Sequence, residues 1–268
     1  ICSIALISAG MSVFDAITHS MTTIATGGFS THDQSIGFFE SEAIHWIIIL
    51  GMIMGSLPFL LYLEVARGRT QSLLKDTQVW TFLGIILLSV LCISLWRTFS
   101  NGAEAESSFL DSTFNTISII TGTGYSTTDY SIWGSFAVTC LFLFMFIGGC
   151  AGSTACGIKI FRIQLLYHFL SNQLKKIIYP RGIFVIKYDN NNIDEKFMSS
   201  VISFIFLYIV IFFCLAAILS LTGLDFITSI SGAATSISNV GPGLGDIIGP
   251  NGNFSTLSDP SKWALSMG

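Results

Sequence analysis

A polar, glycine-rich motif that recurs between stretches too apolar for water constrains this chain more than any other feature. Residues 14–33 read FDAITHSMTTIATGGFSTHD and residues 110–129 read LDSTFNTISIITGTGYSTTD; the two align without a gap at an offset of 96. Asp15 then pairs with Asp111, Gly28 with Gly124, Ser30 with Ser126, Thr31 with Thr127 and Asp33 with Asp129, and Phe29 falls on Tyr125. A third copy, LDFITSISGAATSISNVGPGLGD at 224–246, keeps the leading Leu-Asp and the Ser/Thr-rich run. Gly241 falls on Gly28 and Gly124 once three residues are inserted. Self-similarity of this kind marks a repeated structural unit.

The surroundings say where that unit sits. Only 10% of the 268 residues are charged and 51% are hydrophobic, whereas soluble domains carry about 25% charged residues. So few charges, with 23 Phe, point to an integral membrane protein. Stretches 44–63, 79–96, 132–147 and 201–221 read as spans, with a shorter apolar run at 158–170. Between them, 14–24, 110–120 and 226–237 are too polar to cross and too apolar for ordinary loops, and their length fits half-membrane helices. Arg67, Arg69 and Lys75 gather in one connection; Lys159, Arg162, Lys175, Lys176, Arg181, Lys187 and Lys196 lie in and around another. Both connections are therefore cytoplasmic, and each half-helix enters from the outer side and returns to it. Arg97 and Lys262 fall elsewhere. Residues 179–197, with DNNN between β-branched and aromatic runs, read as a cytoplasmic hairpin or as an ordered turn.

Several function classes drop out. A net charge of −4 does not suggest a nucleic-acid partner. Most of the six cysteines lie in apolar runs and read as reduced packing residues. Cys150 and Cys156 have no His or carboxylate close in sequence, so no transition-metal site is expected, and the four histidines show no ligand spacing. No Ser/His/Asp or paired-carboxylate arrangement falls inside the spans, so the chain is not expected to be an enzyme.

The glycine loops have their own chemistry. Irregular backbone at membrane depth must be buried in protein or line a watery cavity. Glycine permits positive φ, so successive carbonyls can point one way and replace the water shell of a monovalent cation. The candidate ligands are the backbone of Ala25, Thr26, Gly27 and Gly28; of Thr121, Gly122, Thr123 and Gly124; and of Asn239, Val240 and Gly241. No carboxylate lies inside these loops, which suits a weakly hydrated, singly charged ion better than a divalent one. An anion cradle would need glycines before a helix, and here they follow one. Asp15, Asp111 and Asp225 each stand where a half-helix is expected to start and read as caps.

At these loops, and at GGCAGSTACGIKIFR (148–162), the sequence resembles the Trk/Ktr/HKT superfamily of potassium transporters, closest to its bacterial Trk branch, over essentially the whole chain. The resemblance implies an all-α membrane fold of membrane–pore loop–membrane units around a central ion pathway. Three of four filter loops are visible. The units are 1–75 (second repeat, partial outer helix), 76–178 (third repeat, broken inner helix), a cytoplasmic hairpin at 179–196, and 197–268 (fourth repeat, inner helix cut short). It implies K⁺ as the transported ion with no further cofactor, and K⁺ preference where Gly28, Gly124 and Gly241 hold the key positions. It further implies a longer native protein with a first repeat, a homodimer in the bacterial inner membrane, and a cytosolic nucleotide-binding regulatory subunit docking on the basic connections. The small residues Gly148, Gly149, Gly152, Ser153, Thr154 and Gly157 cannot sustain a helix well. They read as an intramembrane gate beneath the filter or as a helix-packing patch. Lys159 reads as the inner mouth, as a positive-inside anchor, or as both. A Na⁺-coupled secondary transporter with Gly-broken helices is the alternative. Against it, such proteins pair inverted repeats, and here all half-helices enter from one side.

Overall fold

A computed structural model describes every residue except 102–104, 183, 185–186 and 189–190. Helices run in the order α1 (Cys2–Ser8), α2 (Val13–Ile24), α3 (Glu42–Gly55), α4 (Phe59–Ala66), α5 (Gln71–Lys75), α6 (Thr77–Asn101), α7 (Ala105–Ile120), α8 (Ser135–Phe144) and α9 (Ile160–Ile178). A two-residue antiparallel pair follows, β1 (Lys187–Tyr188) with β2 (Asn191–Asn192). Then come α10 (Glu195–Leu221), α11 (Phe226–Ser238), α12 (Gly245–Ile248) and α13 (Asp259–Met267). The hairpin is thus short, and 189–190 of its expected turn lie outside the described residues.

Helices α6 and α10 are long and apolar enough to cross a bilayer. Along α10, Tyr208, Phe212, Leu215 and Leu219 are buried while Phe206, Leu207 and Phe213 stay open. An open apolar face of this length calls for lipid or another protein surface against it. In all three copies a short helix, α2, α7 or α11, ends directly before a glycine loop. Residues 112–123, the end of α7 and the start of its loop, are all buried. Phe114, Ile117 and Ile120 join a core with Ile48, Met52 and Phe82, and Ile119 joins a second with Ile93, Leu141, Phe212 and Leu219. The middle copy is therefore gripped from both sides.

Three expectations are corrected. The stretch 44–63 is not one rod: α3 and α4 meet at 94°. Pro58 caps α4, and a proline lacks the N–H and the clearance that a continuing helix needs. The break frees the carbonyls of Gly55 and Ser56, which the 148–157 segment takes up: Cys150 N–H donates to Ser56 O (3.0 Å) and Thr154 N–H to Gly55 O (3.3 Å). Hydropathy registers composition, not such a break. The stretch 132–147 holds only the ten-residue α8, after a 3₁₀ turn at Tyr130–Ile132. The aspartates are not three equivalent caps. Asp225 caps α11, accepting from Thr228 N–H at 3.2 Å. Ser12 caps α2, and Asp15 answers it from the first turn, its N–H donating to Ser12 Oγ (3.1 Å). Helix α7 starts at Ala105, so Asp111 lies nearly two turns inside it, where a carboxylate has no free N–H to cap.

Candidate functional site

The three loops share one backbone plan. Each turns its first amides back onto the last turn of its own helix. Thr26 N–H donates to Thr23 O (3.1 Å), Gly122 N–H to Ile119 O (3.1 Å) and Asn239 N–H to Ser236 O (3.1 Å). One residue on, Gly27 bonds Thr22 O (2.7 Å), Thr123 bonds Ser118 O (2.9 Å) and Val240 bonds Thr235 O (2.9 Å). Each loop also has positive φ at two positions spaced by two: Thr26 (48°) and Gly28 (66°), Gly122 (69°) and Gly124 (82°), Asn239 (53°) and Gly241 (112°). With the amides turned inward, no described residue donates to a carbonyl of 26–28, 121–124 or 239–241. These oxygens are left for a ligand, and the negative ends of three helix dipoles stand behind them.

The loops also touch in order. A Cβ added at Gly28 would lie 1.8 Å from the Thr123 carbonyl oxygen, and one at Gly124 would lie 1.9 Å from that of Val240. Gly28 and Gly124 are therefore glycine for two reasons, their φ and the next loop's backbone. Gly241 is held by φ alone, with Gly124 Cα at 3.7 Å. The eleven predicted filter residues thus lie together as three adjoining walls.

Tyr125 is a residue the sequence reading undervalued. It is buried (1% exposed) while its repeat mate Phe29 is 76% exposed. Its hydroxyl meets Thr22 Oγ1, lies 3.5 Å from Thr23 Oγ1 and donates to His19 O at 3.3 Å. The second loop is thereby strapped to the helix of the first copy. Tyr125→Phe is expected to lower Rb⁺-over-Na⁺ preference about fivefold at unchanged protein level, one neutral hydrogen bond contributing ~1 kcal/mol. Competition influx assays read this, and an unchanged ratio would remove Tyr125 from the site.

Residues 148–159 form a closed, non-helical loop against the inner side of these walls. Its ends are zipped by Gly148 N–H to Ile158 O (2.7 Å) and Ile158 N–H to Phe146 O (3.1 Å). A Cβ at Gly148 would lie 2.1 Å from Cys156 O, and one at Gly149 2.6 Å from Ala155 Cβ, so small residues are needed for the two strands to close. Gly152 (φ 75°) and Gly157 (φ 71°) make the reversals. Ser153 Oγ donates to Cys150 O (2.6 Å). Thr154 Oγ1 reaches both Ile24 O and Gly55 O (3.0 Å each). The amide N of Cys156 would lie 3.6 Å from a Cβ at Gly122, and Asn239 Nδ2 donates to Cys156 Sγ (3.2 Å). The loop therefore touches all three copies where their helices meet the filter loops. Lys159, half-buried, turns inward rather than outward: Nζ donates to Ala155 O (2.5 Å), Ser153 O (3.2 Å) and Cys150 O (3.5 Å). An ammonium holds the loop closed from inside.

A polar path leads from this loop to the β1–β2 hairpin. Ala151 N–H donates to Gln78 Oε1 (3.0 Å) at the start of α6. One residue away, Thr77 O accepts from Gln164 Nε2 (3.1 Å), which also donates to Thr81 Oγ1 (2.7 Å). Tyr188 of β1 donates to Gln164 Oε1 (3.0 Å). Gln78, Gln164 and Tyr188 carried no sequence signal, because their spacing matches no motif.

Comparison with known proteins places these features. The TrkH family model, described as a cation transport protein, matches residues 1–261. The Trk system potassium uptake protein TrkI of Halomonas elongata is 45% identical over 260 residues, covering 97% of this chain and 53% of that protein. The TrkH of Vibrio parahaemolyticus is 35% identical over 268 residues, covering 98% of this chain and 55% of that protein. The crystal structure of the potassium transporter TrkH from Vibrio parahaemolyticus matches with a TM-score of 0.92 at 35% identity, over 98% of this chain and 57% of that one. The chain spans about half the length of the curated relatives it matches.

Proposed function

This chain belongs to the TrkH family of cation transport proteins, and on that premise we propose that it forms most of the pore of a bacterial potassium uptake system. K⁺, and Rb⁺ as its close mimic, passes inward through a filter of backbone carbonyls from 25–28, 121–124 and 239–241. The loop 148–159 is the gate beneath it. The observation that carries this reading is the shared backbone plan. Three loops repeat the same pair of positive φ angles and the same inward amides, in contact with one another, and leave their carbonyls unengaged except that of Ala25, which accepts from Thr26 Oγ1 (2.8 Å). Such rings of neutral oxygens replace the hydration shell of a monovalent cation. The membrane potential drives entry, at roughly 2.3 kcal/mol per charge per 100 mV.

On the same reading, 1–75, 76–178 and 197–268 are the second, third and fourth repeats of a fourfold unit, with 179–196 as the cytoplasmic connection. The protein works in the bacterial cytoplasmic membrane as a homodimer, with a cytosolic nucleotide-binding regulatory subunit. That subunit docks on the basic connections 67–75 and 175–196, and the Tyr188–Gln164–α6–Gln78 path gives it a route to the gate. As a family of transport proteins, these chains are not enzymes. The test is to express the full-length protein in cells lacking K⁺ uptake. Growth at limiting K⁺ and saturable Rb⁺ influx that Na⁺ competes with poorly are expected. Influx no greater than in the parent cells would overturn the reading.

A further inference from the structure

Behind the first two loops the same polar ladder recurs, and it accounts for the Ser/Thr run that follows each glycine. Thr22 Oγ1 donates to Phe29 O (3.0 Å) and its mate Ser118 Oγ to Tyr125 O (2.6 Å). One turn earlier, His19 Nε2 meets Ser30 Oγ (2.9 Å) while Asn115 Nδ2 donates to Thr127 Oγ1 (2.9 Å). One turn earlier still, Thr31 Oγ1 donates to Asp15 Oδ1 (2.6 Å) and Thr127 Oγ1 to Asp111 Oδ1 (3.3 Å). Each exit strand is stitched, rung by rung, to the helix that precedes its loop.

The second ladder continues into a neighbouring span. Arg97, on α6, is buried, and its Nη2 lies 3.7 Å from Asp111 Oδ2. Its Nη1 donates to Ser108 O (3.1 Å) and Ser112 Oγ (3.3 Å), and its guanidinium centre sits 4.0 Å from the Trp133 ring. An arginine at this end of a span runs against the bias that gathers most basic residues in two connections. A partly buried charge pair gains little net stability once its desolvation is set against its attraction, so its worth lies in what it holds in place. One carboxylate oxygen takes the arginine and the other takes the exit strand, three residues past Gly124.

We propose that Arg97 is a positioning residue of the ion filter: through Asp111 it fixes Thr127, and with it the carbonyls of Thr121–Gly124. This rests on the filter reading above, and deepens it by naming what sets ion preference. The experiment measures Rb⁺ influx and its inhibition by Na⁺ in full-length protein, normalised to the amount in the membrane. The variants are Thr127→Val, Asp111→Asn and their double, with Gly124→Ser as reference. Thr127→Val keeps the shape and leaves the ion pair intact, so it separates the brace from folding. Thr127→Val removes the hydroxyl that donates to Asp111 and accepts from Asn115, and Asp111→Asn removes the charge that holds Arg97; each is expected to lower Rb⁺/Na⁺ preference about 3- to 10-fold. The double variant is expected to be no worse than the stronger single one, because both cut the same link. Arg97→Lys, which keeps the charge but not the fork, is expected to fall between wild type and Asp111→Asn. A wild-type ratio in Thr127→Val, with Gly124→Ser altered, would overturn the brace and leave the filter standing. Wild-type ratios in both would overturn the filter reading and the brace with it.

Discussion

Gly124→Ser is expected to abolish the preference for Rb⁺ over Na⁺ and to cut Rb⁺ influx at least about tenfold, a loss of ~1.4 kcal/mol in ion stabilisation. Two costs coincide at this position. The residue sits at φ 82°, a conformation that side chains with a Cβ adopt only under strain. The new Cβ would also lie 1.9 Å from the Val240 carbonyl oxygen, itself one of the candidate ligands. Backbone must therefore move by more than an ångström at the point where oxygen spacing selects the ion. Gly28→Ser meets the Thr123 carbonyl at 1.8 Å and should behave alike. Gly241→Ser is the informative contrast: its nearest neighbour is Gly124 Cα at 3.7 Å, so strain in φ acts without the collision and the loss should be smaller. Gly10→Ala, at φ 100° with nothing within 4 Å, controls for strain far from the loops and should leave the ion ratio unchanged. Equal loss of preference in all four would mean that general destabilisation, not filter shape, is being read.

The second large effect is expected at the proposed gate, the loop 148–159. Lys159→Met should raise ion flux about tenfold, because each charge-assisted hydrogen bond to a neutral group contributes ~1.5–3 kcal/mol. Its ammonium is the donor for three carbonyls, those of Cys150, Ser153 and Ala155. Without it those oxygens repel one another and the loop loses its closed shape. Thr154→Val should act in the same direction but less strongly. It removes the hydroxyl bonds to Ile24 O and Gly55 O, while the Thr154 N–H still reaches Gly55 O. Deleting several residues within 148–157 should give the largest rise. Rb⁺ efflux from loaded proteoliposomes measures all three. Lower flux from well-folded variants would assign the loop to packing instead.

Much of this was legible along the chain. The half-helices expected at 14–24 and 226–237 match Val13–Ile24 and Phe226–Ser238 closely, because local signals set their ends: a side-chain cap before each, and Asn239 in the left-handed conformation after the second. At 110–120 the helix start was missed, since α7 begins five residues earlier, at Ala105. The loop glycines were found because a repeat writes the same backbone demand twice at one offset. The break between α3 and α4 was not legible. Pro58 was in view, but the acceptors it exposes become tolerable only when Cys150 and Thr154, about a hundred residues on, arrive to bond them. Asp111 was misread for the same reason: the meaning of a carboxylate depends on Arg97, on another helix, and not on its rank in a motif.

By itself, then, the sequence determined the medium and the repeated unit. Apolar composition, charge placement and glycine position act through neighbours along the chain and need no folded partner. Only the tertiary structure decided which loop touches which, that Tyr125 straps two copies together, that Lys159 turns inward, and that residues 148–159 lie under all three walls. Apart from the turn of Lys159, whose partners lie four to nine residues earlier, these depend on atoms brought within hydrogen-bond reach across spacings of 83 to 130 residues. No pattern along the chain encodes such a distance; it is set by how the helices pack.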